Sequence, residues 1–158
     1  MEDARQLQVQ KVLLYDPERC TGCRFCEMAC SYKHFGVISF RKSNLRIVFD
    51  GERLEFEAVN CQHCVEPVCV AACPSEALSK DEETGWVRIN PLKCIGCKTC
   101  VYICPLSAPW FDEDLNVAVK CDFCDGDPMC AKYCSPGAIR VVSRVEAVEF
   151  AKKLYVGG

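Results

Sequence analysis

Short apolar-rich segments broken by polar turns run along most of this chain, and no long apolar run interrupts them. KVLLYD (11–16) predicts a strand. LRIVF (45–49) and RLEFEAV (53–59) alternate apolar and polar residues on either side of Asp50-Gly51, which suits a two-residue hairpin turn. SEALSKDEETGWVRIN (75–90) predicts a short turn of helix and then a second hairpin turning at Thr84-Gly85, while NVAVK (116–120) and AIRVV (138–142) predict further strands. The period then changes. Ser143 and Glu146 form a capping box, apolar Val145, Val148, Ala151 and Leu154 follow, and Gly157 is placed to stop the helix. The pattern predicts an α+β chain of short hairpins closed by one amphipathic C-terminal helix, packed on the domain through that apolar face.

Cysteine changes this picture. The chain has 158 residues and 16 cysteines, about one residue in ten, so it is either a disulfide scaffold or organised around metal. The opening MEDARQLQVQ is polar, without the apolar stretch of a secretory signal, and no apolar run reaches the length of a membrane span. A cytoplasmic location is therefore expected, where thiols stay reduced and this much cysteine means metal ligation. The thiols extend from Cys20 to Cys134, leaving little uninterrupted sequence for a conventional apolar core. The bound metal is then expected to act as the core, and the metal-free chain to be largely unfolded.

The cysteines fall into four quartets: Cys20, Cys23, Cys26, Cys30; Cys61, Cys64, Cys69, Cys73; Cys94, Cys97, Cys100, Cys104; and Cys121, Cys124, Cys130, Cys134. The first and third match, YDPERCTGCRFC beside INPLKCIGCKTC, each with a proline three residues before its first cysteine. The second and fourth match, CQHCVEPVC beside CDFCDGDPMC, each with a proline two residues before its third. This alternation is the mark of a duplicated two-motif ancestor. Gly22 and Gly96 sit between ligands, where a residue without Cβ lets backbone N–H groups approach sulfur.

The spacing C-x2-C-x2-C-x3-C of the first and third quartets holds a [4Fe–4S] cluster through three cysteines, the fourth commonly serving a different cluster. Structural zinc prefers two separated pairs, so only the second and fourth quartets suit zinc by spacing, and their repetition beside the other two favours four [4Fe–4S] clusters throughout. Sixteen thiolates around four cores of about +2 each take the formal charge from −3 to about −11, which disfavours a nucleic-acid partner. His63, between Cys61 and Cys64, is expected to lie beside a cluster or at the surface rather than to ligate, and His34 to face solvent. Phe25, Phe123, Tyr102 and Tyr133 are expected to pack and exclude water, as are Trp86 and Trp110. No nucleophile–base pair, phosphate loop or dinucleotide fingerprint is present, so no catalytic residue is assigned.

Over roughly residues 9–142, from CTGCRFCEMAC through CIGCKTCVYICP to KCDFCDGDPMCAKYC, the chain resembles the four-cluster polyferredoxin subunits of molybdenum and tungsten oxidoreductases. The short fourth quartet KCDFCDGDP is more similar to the small subunits of tungsten aldehyde oxidoreductases and class II benzoyl-CoA reductases than to the dimethyl sulfoxide reductase type. The resemblance implies two ferredoxin-like two-cluster units with crossed ligation, unit A from 9–35 plus 115–142 and unit B from 58–112, a hairpin insertion at 36–57 and the helix at 143–158. It implies Cys20, Cys23 and Cys26 with Cys134; Cys121, Cys124 and Cys130 with Cys30; Cys61, Cys64 and Cys69 with Cys104; and Cys94, Cys97 and Cys100 with Cys73. Spacing alone permits first with second and third with fourth quartets equally well. Ser31 and Ser135 stand where Cys73 and Cys104 are followed by proline, which predicts looser outgoing turns in unit A.

The function so implied is non-catalytic. The chain would relay single electrons from a tungsten-pterin catalytic subunit, oxidising aldehyde to carboxylic acid, toward ferredoxin or a flavin/NAD subunit. Two open ends would also let copies associate end to end. The same role could serve a benzoyl-CoA reductase, formate dehydrogenase, hydrogenase or carbon monoxide dehydrogenase. An alternative of another class is a zinc-stabilised interaction module.

Overall fold

The fold, given by a computed structural model that describes residues 8–156, is a tandem repeat of one seven-part unit. The first copy runs β1 (Lys11–Tyr15), first quartet, α1 (Phe25–Phe35), the hairpin β2 (Arg46–Asp50) and β3 (Glu55–Val59), second quartet, α2 (Val68–Ala71) and β4 (Leu78–Lys80). The second runs β5 (Val87–Ile89), third quartet, α3 (Thr99–Ile103), the hairpin β6 (Trp110–Asp112) and β7 (Val117–Val119), fourth quartet, α4 (Met129–Lys132) and β8 (Ile139–Ser143). A last helix, α5 (Arg144–Val156), follows directly.

The strands form four two-stranded antiparallel ladders: β1 with β8, β2 with β3, β4 with β5, and β6 with β7. The strand leaving the fourth quartet thus pairs with the strand entering the first, Leu13 opposite Val141, and the strand leaving the second pairs with the strand entering the third, Ser79 opposite Arg88. Two ferredoxin-like units result, interleaved in sequence. Leu13, Leu45, Ile47, Trp86, Phe123 and Ile139 pack with the thiols of Cys26, Cys121 and Cys130 in one core. Leu78, Val87, Ala118 and Cys100 form a smaller one.

Several local expectations change. The hairpin at Asp50-Gly51 closes with Asp50 opposite Glu55, a four-residue loop rather than two. Asp50 Oδ1 accepts from the N–H of Glu52 and Arg53, and Leu54 takes φ 56°, so the carboxylate builds the turn. Residues 75–77 form no helical turn, the backbone bending through Glu76 at φ 52°. After Cys30 there is no outgoing turn at all: with serine in place of proline at 31, α1 continues to Phe35.

The C-terminal helix is capped as expected at its start, the Glu146 N–H donating to Ser143 Oγ at 3.2 Å, while Gly157 lies outside the described residues. Its packing face is different. Val145, Val148 and Leu154 are exposed, and Arg144, Ala147 and Phe150 turn inward. Arg144 fixes this rotation: its N–H donates to Gln10 O at 2.9 Å and its guanidinium to Gln10 Oε1 at 2.7 Å and His63 O at 2.8 Å.

Candidate metal centres

Cys26 and Cys30 lie on α1 four residues apart, one above the other on the same helical face. They face different groups of thiols. Cys20, Cys23, Cys26 and Cys134 line one pocket. Cys30 instead lies within electrostatic reach of Cys121, Cys124 and Cys130. Cys61, Cys64, Cys69 and Cys104 line a second pocket, and Cys73, Cys94, Cys97 and Cys100 a third. All sixteen are free thiols.

The loops reach this arrangement by left-handed backbone at repeated positions. Gly22 (φ 68°) and Arg24 (φ 58°) precede α1 as Gly96 (φ 71°) and Lys98 (φ 61°) precede α3. At Gly22 the left-handed backbone favours glycine, and a Cβ would meet the tip of the Phe56 ring, which would have to move.

Backbone N–H groups converge on the sulfurs. Cys30 accepts from Asn44 at 3.3 Å, Cys61 from His63 at 3.4 Å and Cys73 from Ala77 at 3.3 Å. Cys94 accepts from Ala118 at 3.5 Å, Cys121 from Phe123 at 3.4 Å and Cys134 from Ile139 at 3.4 Å. The segment between α1 and β2 thereby covers the Cys30 site through Asn44. Donors aimed at sulfur are what a thiolate-held cluster uses to stabilise its charge.

Burial pushes the thiols up, Cys26 to about 12 and Cys100 and Cys124 to about 11, with Cys30, Cys69, Cys121 and Cys130 also raised. Such groups become thiolates when a metal supplies the compensating charge. Two thiols run the other way. At Cys97 the Thr99 hydroxyl, then its N–H, lowers the thiol. At Cys73 the modest burial penalty is outweighed by N–H donors from Leu78 and Ala77 and by Ser75. Four groups of four soft sulfur donors, ringed by N–H groups, fit [4Fe–4S] clusters.

Of the neighbouring residues, His34 and Tyr102 depart from expectation, while His63, Phe123, Trp86 and Trp110 meet it. His34 does not face solvent: its Nε2 lies 3.6 Å from Cys124 Sγ and 3.5 Å from Asp122 Oδ1, and the three residues converge. His63 is 1% exposed, its Nδ1 accepts from Val87 N at 3.0 Å, and burial pushes it down to about 3, so the ring is neutral. The ring proton then sits on Nε2, which has no protein partner. Phe123 is buried and stacks on Trp86 at 4.6 Å, and Trp110 Nε1 donates to Asn44 Oδ1. Tyr102, expected to pack, is 81% exposed, and Phe25 and Tyr133 pair with each other half-exposed.

Three polar residues that carried no sequence signal also belong here. Lys120, 5% exposed, lines the Cys61 pocket and donates to Val87 O and, at 2.7 Å, to Cys121 O. Arg144 donates to Gln62 O and His63 O in the loop between Cys61 and Cys64. Gln10 Nε2 donates to His63 O and Gly85 O, both at 2.8 Å.

Comparison with known proteins agrees with this chemistry. The 4Fe-4S dicluster domain matches residues 52–144 and, in a second form, residues 19–77. The polyferredoxin-like subunit of aliphatic sulfonate oxidoreductase from Pyrococcus furiosus is 38% identical over 133 residues, covering 83% of this chain and 75% of that protein. The thiosulfate reductase electron transfer subunit of Salmonella typhi is 32% identical, covering 83% and 74%. The beta subunit of NADH-dependent phenylglyoxylate dehydrogenase from Aromatoleum evansii is also 32% identical, but the match spans only 30% of that longer protein. Among the described residues no helix is long and apolar enough to cross a membrane. The chain belongs to the 4Fe-4S dicluster family, carries four [4Fe–4S] clusters, and is a non-catalytic electron-transfer subunit of the oxidoreductase type.

Proposed function

We propose that the four groups of thiols are ligand sets arranged as one linear series, and that the chain links a tungsten aldehyde oxidoreductase catalytic subunit to ferredoxin or to a flavin/NAD subunit. Cys20, Cys23, Cys26 and Cys134 are the ligands at one end. Cys30, Cys121, Cys124 and Cys130 come next, then Cys61, Cys64, Cys69 and Cys104. Cys73, Cys94, Cys97 and Cys100 form the other end. When bound, a [4Fe–4S] cluster supplies a one-electron couple.

The order is supported by which thiols neighbour one another across groups. Cys26 lies within electrostatic reach of Cys130, Cys121 of Cys61, and Cys69 of Cys100. The single observation that carries the reading is exposure. Of the sixteen thiols only Cys23 and Cys97 are exposed, and they fall in the first and last groups. Cys30, Cys121 and Cys130, all buried, and Phe123 enclose the second group, and the four thiols of the third are half-buried, so neither inner group has an exposed thiol. The protein's work is burial, spacing and hydrogen bonding to sulfur, with access kept at two ends.

The tungsten partner rests on the short fourth quartet KCDFCDGDP. Its test is affinity purification of the tagged chain from its own host, with tungsten analysis of the recovered complex and aldehyde-dependent bleaching of the cluster absorbance. A tungsten-containing subunit and bleaching by aldehyde support the assignment. Recovery of a benzoyl-CoA reductase, formate dehydrogenase, hydrogenase or carbon monoxide dehydrogenase instead would replace it. A cytoplasmic site for this exchange accords with thiols kept reduced.

A further inference from the structure

We propose that Lys120 and Arg144 are potential-setting residues for the inner ligand group Cys61, Cys64, Cys69 and Cys104, making that position easier to reduce than its half-buried, all-thiolate surroundings alone would allow. This rests on the ligand grouping above.

Lys120 is 5% exposed, yet among the described residues no carboxylate lies within ion-pair distance of it. A buried ammonium is costly without an opposing charge. Its two protein acceptors, Val87 O and Cys121 O, are neutral carbonyls and account for two of its three N–H groups. It lines the pocket formed by the four thiols, and its charge acts on both Cys69 and Cys121, favouring their thiolates. Among the described residues the anions nearest to it are the thiolate ligands and what they hold.

Arg144 repeats the pattern at the Cys61–Cys64 loop. It too lacks a carboxylate partner among the described residues, spends its N–H groups on Gln10 Oε1, Gln62 O and His63 O, and acts electrostatically on Cys64 and Cys61. Two cations without carboxylates therefore flank one ligand loop. The other groups differ: Arg24, next to Cys23, is paired with the buried carboxylate of Glu27, and near Cys124 the cation Lys33 is opposed by the carboxylate of Asp122. Adding an electron makes a cluster more negative, so desolvated cations favour its reduced form and raise its potential. Because Arg144 is the first residue of α5, the C-terminal helix is coupled to the centre of the electron path and not merely laid against the fold.

The test is a dithionite-poised EPR titration of the full chain, purified anaerobically with its clusters, comparing wild type with Lys120→Met and Arg144→Gln. Iron and sulfide are measured first. Zinc in place of iron would overturn the ligand reading itself, independently of this inference. With clusters loaded, the same one of the four reduction steps should fall in both variants by about tenfold in its equilibrium, about 59 mV for one electron. Lys120→Arg and Arg144→Lys should restore it. Unchanged potentials, or different steps moving in the two variants, would overturn the proposal. Should Lys120→Met fail to retain clusters, Arg144→Gln is decisive alone, and an unmoved set of potentials in it overturns the claim.

Discussion

Gln10 and Arg144 stand 134 residues apart in sequence and are joined twice, backbone to backbone at 2.9 Å and side chain to side chain at 2.7 Å. Gln10 Nε2 also holds the carbonyls of His63 and Gly85, so one 4%-exposed amide ties the first strand, the last helix, a ligand loop and the β4–β5 turn together.

Replacing Gln10 by Ala strands buried carbonyls and an arginine N–H at this junction. The expected destabilisation is about 1–3 kcal/mol. Anaerobic urea denaturation followed by the visible absorbance of the clusters checks it, and an unchanged midpoint would show the junction to be dispensable.

Gly22→Ala should be severe for two separable reasons. A left-handed backbone costs a non-glycine residue about 1–2 kcal/mol, and the new Cβ meets the Phe56 ring. Gly22→Ala should lower iron content per chain, and Gly22→Ala with Phe56→Leu should recover only the part due to the contact.

Removing the metal should remove the fold. The smaller core contains little more than Leu78, Val87, Ala118 and the Cys100 thiol, and the larger one is built around Cys26, Cys121 and Cys130. Anaerobic treatment with a strong iron chelator should therefore abolish near-UV circular dichroism along with the brown colour. A native-like spectrum after iron removal would contradict this.

The sequence displayed the ligands and hid their surroundings. Cysteine spacing and the paired prolines announced four quartets, and KVLLYD and AIRVV were legible as strands, although nothing in either segment says that they pair. The helix Phe25–Phe35 was masked by its own ligands, since Cys26 and Cys30 read as motif rather than as two positions on one helical face. Its continuation past Ser31 follows from the missing proline, a signal that predicts a looser turn and equally permits a longer helix. The rotation of the last helix is not legible in its apolar pattern, because Val145, Val148 and Leu154 form the more apolar face, while the anchor is Arg144. Gln10, Lys120 and Arg144 bond to backbone carbonyls distant in sequence, an arrangement that leaves no period or motif to detect.

Exposure should set the order in which clusters are lost. Cys23 and Cys97, in the two end groups, are exposed, whereas none of the eight thiols of the two inner groups is. Brief exposure to oxidant should destroy the two terminal clusters first, leaving about half of the iron with the EPR signals of the inner pair. Uniform loss of all four signals would contradict the linear arrangement.

The most direct measurement is anaerobic iron and acid-labile sulfide analysis of the purified chain, combined with EPR after dithionite reduction. About sixteen iron and sixteen sulfide per chain, with broad signals from interacting reduced clusters, is the expected result. Zinc at two or more of the four sites would contradict the account and favour an interaction module without a redox role.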